Sequence, residues 1–266
     1  MQNRTLSVDG LRINVTEWGS GPPVVLVHGL TGSLDYWAPF AERLSRRHRV
    51  IAFDIPGHGE SEALEPFTFD GLVTVLADAA DQLEAENPAI VGHSFGVPIA
   101  VCWAAARPVS ALVLASPVGI TPLHIRRARA VMPVHKVLVR SERLWEAAAS
   151  RSRWPRRVIF GWFVGMNDLD GLEPDQARSL LRGAARAAPV VPSALPALEH
   201  LDLRTIASDV DVPCLVVWGE HDQSAWDNGP ELADLLGAEE VVLPGVGHMP
   251  MIEAPYSFGV AVADFL

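Results

Sequence analysis

The chain has 266 residues, is 49% apolar and 20% charged, and carries a net charge of −11. That length suits one large domain or a domain with an insertion, and it can bury about three quarters of its unfolded surface without staples. The acidic balance argues against a nucleic-acid partner, and no run of 18 apolar residues offers a membrane span.

The two cysteines, Cys102 and Cys214, each sit in an apolar run and read as buried free thiols rather than a disulfide framework. Residues 1–5 have no apolar run behind them, so no signal peptide is expected and a cytoplasmic location is. Of the 21 basic residues only Lys136 is a lysine, a bias that reads as genome composition.

Apolar and polar residues alternate over 6–9 and 11–18 around Asp9-Gly10, which predicts a hairpin with a two-residue turn. Val24, Val25, Leu26 and Val27 are a continuous apolar run, the pattern of a strand covered on both faces. It stops at His28-Gly29-Leu30-Thr31-Gly32-Ser33. Trp37, Phe40, Ala41 and Leu44 recur at helical spacing, closed by Arg46-Arg47-His48. Residues 50–53 form the next buried strand, leading into Asp54-Ile55-Pro56-Gly57-His58-Gly59-Glu60-Ser61, and 69–83 suit an amphipathic helix. Residues 89–91, 97–106 and 111–115 read as strand, helix and strand. This alternation predicts a parallel sheet with helices on both faces.

At Ser116-Pro117 the rhythm breaks. Residues 119–205 show helical patterns and no convincing strand, with Thr121-Pro122 and Glu173-Pro174 as helix starts. Ser141 can cap a helix through Leu144, Trp145 and Ala148. This segment carries 14 basic and 8 acidic residues, a net of +6, against 7 and 24, a net of −17, in the remainder. The shift marks an inserted helical cap at 119–205 on a core of 1–118 and 206–266. The core rhythm resumes with a strand at 212–218, a helix at 230–236, a last strand at 240–243 and a closing helix over 254–266.

Gly92-His93-Ser94-Phe95-Gly96 stands between a strand and a helix. In that context Gly-x-Ser-x-Gly predicts a sharp turn that lifts the Ser94 hydroxyl outward and sets the Phe95 amide at a helix start, where a negative oxygen is favoured. A serine hydroxyl needs a base, and the base an orienting acid. Open α/β sheets gather such groups at the carboxyl ends of strands. Asp222 in Trp218-Gly219-Glu220-His221-Asp222 and His248 in Gly245-Val246-Gly247-His248-Met249 occupy loops leaving buried strands, in the chain order Ser, Asp, His. Glu220 is the alternative acid. His93 should point away from the serine, His58 should pack near the site mouth, and His28 reads as a hydrogen-bonded scaffold residue. No histidine pair has metal-ligand spacing with a third ligand nearby, so neither metal nor cofactor is expected. The amides of Phe95 and Leu30 are the candidate oxyanion donors.

With these motifs the chain resembles the α/β-hydrolase fold superfamily, in the group with a helical cap. The motifs cover nearly the whole chain except the cap. The resemblance implies an eight-stranded, mostly parallel sheet, a Ser-His-Asp triad of Ser94, His248 and Asp222, and a pocket between core and cap. Serine rather than aspartate at 94 disfavours haloalkane dehalogenase and epoxide hydrolase chemistry. The position of Lys136, the only lysine, disfavours a hydroxynitrile lyase.

Trp145, Trp154, Phe160, Trp162, Phe163 and Met249, with Leu30, Phe95 and Trp226, are candidates for an apolar pocket over Ser94; packing of cap on core is the competing role for each. Two arginine clusters, 126–129 and 151–157, could draw an anionic acyl carrier or simply face solvent. The expected activity is hydrolysis of a small-molecule carboxylic ester or lactone by a monomer or homodimer. The alternatives are a thioesterase, a carbon–carbon bond hydrolase, and a non-hydrolytic binding protein or cyclase.

Overall fold

The structure, a computed structural model, describes residues 1–121, 157–169, 172–187, 189–226 and 228–266. Its strands are β1 (Gln2–Val8), β2 (Leu11–Trp18), β3 (Pro23–Val27), β4 (Arg49–Phe53), β5 (Ala89–His93), β6 (Ala111–Ala115), β7 (Cys214–Gly219) and β8 (Glu239–Leu243). They form one eight-stranded sheet in the order β1-β2-β4-β3-β5-β6-β7-β8. Strands β3 to β8 run parallel, and β2 is antiparallel to both its neighbours. The β1–β2 turn places Asp9 and Gly10 at φ of 49° and 84°, the left-handed pair that a two-residue hairpin needs to match strand twist.

The continuous apolar runs are explained by burial on both faces. Val25, Val27, Ile51, Phe53, Ile90, Leu112, Leu114 and Val216 point into one core. Val24, Leu26, Val50, Ala52, Val91, Val113, Ala115, Leu215 and Val217 point into the other. The first is covered by α2 (Phe69–Gln82), α3 (Gly96–Ala106) and residues of a later helix, Asn228–Leu236; the second by α1 (Ala38–Leu44) and the C-terminal helix, Pro255–Phe265. Thr68 caps α2, accepting from the Gly71 amide at 3.1 Å.

Between β6 and β7 the described elements are all helical: a wide π-type helix α4 (Arg157–Val164), α5 (Pro174–Ala187), α6 (Val191–Glu199) and α7 (Leu203–Ala207). Pro174 opens α5. The α5 helix lies on the loop after β3: a Cβ at Gly183 would sit 3.1 Å from the Gly32 carbonyl carbon. Arg186 of α5 pairs with Glu60 of the core. Helix α7 spans the boundary expected at 205/206, and its Leu203 and Ala207 belong to the first core. Pro122, and the Ser141-capped helix with Trp145, lie outside the described residues.

After β7 come α8 (Asn228–Leu236), α9 (Pro250–Glu253) and α10 (Pro255–Phe265). The closing helix expected over 254–266 is therefore preceded by a separate single turn, because Pro255 can start a helix but not continue one. No helix among the described residues is long and apolar enough to cross a membrane.

Candidate active site

Sheet order puts β3 between β4 and β5, so the connections leaving the carboxyl ends of β3 and β5 run in opposite directions. Ligand crevices form at such a reversal. The register Val27↔Gly92 brings the loop after β3 beside the turn after β5. Ser94 sits in that turn at φ 52°, a left-handed conformation that costs a non-glycine residue roughly 1–3 kcal/mol and marks strained functional turns. The flanking glycines are required by close backbone approach. A Cβ at Gly92 would lie 2.6 Å from the Gly96 oxygen, and one at Gly96 2.3 Å from the Val27 oxygen. Ser94 is partly exposed while its neighbours in the turn are buried.

The Ser94 hydroxyl lies 3.0 Å from His248 Nε2, and His248 Nδ1 lies 2.9 Å from Asp222 Oδ2. The carboxylate can only accept, so Nδ1 carries the proton and Nε2 accepts from Ser94. Asp222 is buried; burial pushes its carboxyl up, but the His248 charge and the bonds from His248 and the Ser224 amide outweigh this and hold it below its ordinary value. Burial pushes His248 down, and Asp222, with a smaller contribution from Glu253, outweighs this and raises it above its ordinary 6.5. The loops carrying acid and base are zipped together: the Glu220 and His221 amides donate to the Leu243 and Val246 carbonyls at 2.9 and 2.8 Å. Glu220, the alternative acid, is exposed and accepts instead from the Gly245 amide.

The 28–33 loop is clamped from several sides. His28 Nδ1–H donates to the Gly29 carbonyl at 2.8 Å and its Nε2 accepts from the Ile55 amide at 3.0 Å, so its tautomer is determined. His58 Nε2 donates to the Leu30 carbonyl. The Gly29 amide donates to the Tyr36 hydroxyl at 2.7 Å, which donates to His93 Nδ1 at 2.8 Å; His93 Nε2–H then donates to the His248 carbonyl at 2.8 Å. One buried chain thus joins the loop on one side of Ser94 to the backbone of the base on the other. Burial holds His28 and His58 at about 4 and His93 at about 3, so all three are neutral scaffold groups. The Leu30 and Phe95 amides, left between these fixed points, have no hydrogen-bond partner among the described residues.

The sequence pattern singles out Ser94, Asp222 and His248, which the structure brings into contact, and reads His28 as scaffold, His93 as turned from the serine and His58 as packed near the site mouth; His58 is fully buried beneath the 28–33 loop. The pattern passes over Tyr36, Glu253 and Gly165, whose roles depend on partners distant in the chain. Of the pocket candidates, Met249 is 3% exposed and packs, like buried Phe160, in the second core among Met251, Val246 and residues of the 157–187 segment. The Phe95 ring is buried against Phe67 and Phe69, at centroid distances of 6.3 and 5.3 Å, so it faces the core. Trp226 is 52% exposed and donates to the Glu220 carbonyl, a surface position. Trp145, Trp154 and the side chains of Trp162 and Phe163 lie outside what is described, as do the arginine clusters apart from exposed Arg157. Among the described residues no group of three His, Cys, Asp or Glu could hold a metal ion.

Residues 22–255 match the family model for the alpha/beta hydrolase fold. The chain belongs to the α/β-hydrolase fold family. Within it, the chain is 27% identical to the pimeloyl-[acyl-carrier protein] methyl ester esterase of Nitrosomonas europaea, over 92% of this chain and 96% of that protein. It is 27% identical to the 2-succinyl-6-hydroxy-2,4-cyclohexadiene-1-carboxylate synthase of an Enterobacter species, over 92% of each. The enol-lactonase structure from Burkholderia xenovorans superposes with a TM-score of 0.75 at 26% identity, over 98% of this chain and 99% of that one. This α/β-hydrolase is thus similar, over 92–98% of its length, to an esterase, a synthase and an enol-lactonase.

Proposed function

We propose that this α/β-hydrolase is a serine hydrolase that cleaves a carboxylic ester or lactone through an acyl-enzyme on Ser94. The observation that carries the reading is the continuous Ser94–His248–Asp222 array, at 3.0 and 2.9 Å, beneath a turn held in a left-handed conformation. Ser94 Oγ attacks the carbonyl carbon as its proton passes to His248 Nε2, and Asp222 stabilises the resulting imidazolium. The Leu30 and Phe95 amides receive the oxyanion; losing one such donor costs roughly 3 kcal/mol of barrier. His248 Nε2–H protonates the leaving alkoxide, which completes the acyl-enzyme. Water then attacks the acyl carbon, giving a proton to Nε2, and collapse of the second tetrahedral intermediate returns that proton to Ser94 Oγ and frees the acid.

Thioesterase, carbon–carbon hydrolase and cyclase activities on the same array are the competing readings. The methyl ester esterase and the enol-lactonase among the similar proteins favour an oxygen ester; the synthase favours the non-hydrolytic alternative. The test is intact mass after incubation with a fluorophosphonate probe, on the wild type and Ser94→Ala. One adduct on the wild type and none on the variant is expected, followed by faster hydrolysis of an oxygen ester or lactone than of the matched thioester. Well-folded wild type that takes up no probe would overturn the proposal.

A further inference from the structure

The backbone around His248 is tied down by an unusual concentration of bonds. Its own amide donates to the Gly165 carbonyl of the cap at 2.9 Å, and its carbonyl accepts from His93. The amides on either side, Gly247 and Met249, both donate to Glu253, at 3.0 Å to Oε2 and 2.9 Å to Oε1. The same carboxylate accepts the cap amides of Asn167 and Asp168 on Oε2, at 2.7 and 2.9 Å. Four backbone donors on two separate chain segments therefore converge on one side chain. Asn167 Nδ2 adds a bond to the Gly245 carbonyl at 2.8 Å. There is no room for slack between the segments: a Cβ at Gly247 would lie 2.4 Å from the Gly165 oxygen.

We infer that Glu253 is a positioning residue that clamps the 165–168 segment of the cap onto the base loop, so that the alignment of His248 with Ser94 depends on how the cap is seated. The inference rests on the proposed role of Ser94 and His248. A carboxylate that satisfies four amides is worth more than a neutral acceptor, because each bond is charge-assisted. Without it, the loop amides turn to water, while the Gly165 carbonyl and the Asn167 side chain still join the 165–168 segment to the base loop. A displacement of about 1 Å at a reacting group can cost as much as 100-fold in rate. Glu253 also places a negative charge close enough to favour the protonated His248 ring. Among the described residues, the other groups facing that ring are Asp222 on Nδ1, Ser94 on Nε2, and His93 with ring centroids 5.1 Å apart.

The test compares wild type, Glu253→Gln and Glu253→Ala in p-nitrophenyl acetate hydrolysis across pH. Thermal melting and an NMR titration of the His248 ring protons accompany it. Glu253→Ala should lose kcat by tenfold or more with KM changed much less, as about 1 Å of misplacement implies. Glu253→Gln keeps the shape and one acceptor oxygen; it should recover part of kcat and move the His248 titration and the acid limb of kcat/KM to lower pH. A role confined to capping the Pro250–Glu253 turn would lower the melting temperature and leave kcat and the titration unmoved. That result in Glu253→Gln overturns the inference even if Glu253→Ala fails to fold. If wild type neither hydrolyses ester nor takes up fluorophosphonate, the serine hydrolase reading falls. The NMR titration still decides Glu253, and an unchanged titration overturns it.

Discussion

Removing one oxygen atom tests the buried chain between the 28–33 loop and the base. Tyr36 is 6% exposed, and burial pushes its hydroxyl well above the ordinary tyrosine range, so it remains a donor at any working pH. In Tyr36→Phe the ring keeps its packing against Trp37 and His93, with centroids at 5.1 and 5.6 Å, so no large cavity opens. Two buried groups lose their partner: the Gly29 amide and His93 Nδ1. His93 cannot turn its ring to recover, because Nε2–H is committed to the His248 carbonyl at 2.8 Å. Each orphaned group costs about 1–3 kcal/mol, so the variant should lose roughly 2–6 kcal/mol of stability. At about 2–4 °C per kcal/mol for a chain of this size, the melting temperature should fall by roughly 4–24 °C. Both loops would also lose their common reference, and kcat should fall about tenfold with KM little changed, the pattern of a lost transition-state interaction. Thermal melting and p-nitrophenyl acetate kinetics measure both. A variant that melts within about 1 °C of wild type would refute the argument, since even one orphaned buried group costs more than that.

Three further predictions rest on other groups. His248 must be neutral to accept the Ser94 proton, and its environment raises it above 6.5. The acid limb of kcat/KM should therefore titrate above 6.5, and a limb below 6.5 in a pH–rate profile would contradict the Asp222 pairing. His28, His58 and His93 titrate at about 4, 4 and 3 in the fold, while unfolded histidines titrate near 6.5. Between these values the unfolded chain binds three protons that the native state does not. Stability present above pH 6.5 should then be lost at about 4 kcal/mol per pH unit as pH falls. His248, shifted the other way, opposes this only above 6.5. Circular dichroism should show cooperative unfolding before pH 4, and a melting temperature constant from pH 7 to 5 would count against buried neutral histidines. Burial pushes the thiols of Cys102 and Cys214 up to about 12 and about 11. A disulfide reagent at pH 8 should label neither in the native protein and both in denaturant, and fast native labelling would place one outside the core.

Much of this molecule is written in local pattern. Runs such as Val24 to Val27 exclude a solvent-facing strand, and the alternation of strands with helices leaves a doubly covered parallel sheet as the arrangement that buries them. Gly-x-Ser-x-Gly between strand and helix allows one kind of turn, because a Cβ at Gly92 or Gly96 would lie within 2.6 Å of a backbone oxygen. Asp222 and His248 were legible because strand ends fix where their loops emerge. Pairings between remote segments were not. Nothing in the order of residues says that Tyr36 meets His93, or that Glu253 gathers amides from 167, 168, 247 and 249. A hydroxyl or carboxylate looks the same in sequence whether it faces water or satisfies a buried donor. Phe95 carried the same ambiguity: apolar beside the nucleophile, it could face pocket or core, and the crossing of α2 over α3 brings Phe69 against it. The sequence alone determined the fold and the candidate reactive groups, because burial and backbone sterics act over a few residues. The tertiary structure decided what holds those groups in line, because that depends on donors and acceptors meeting across distances the chain order does not encode.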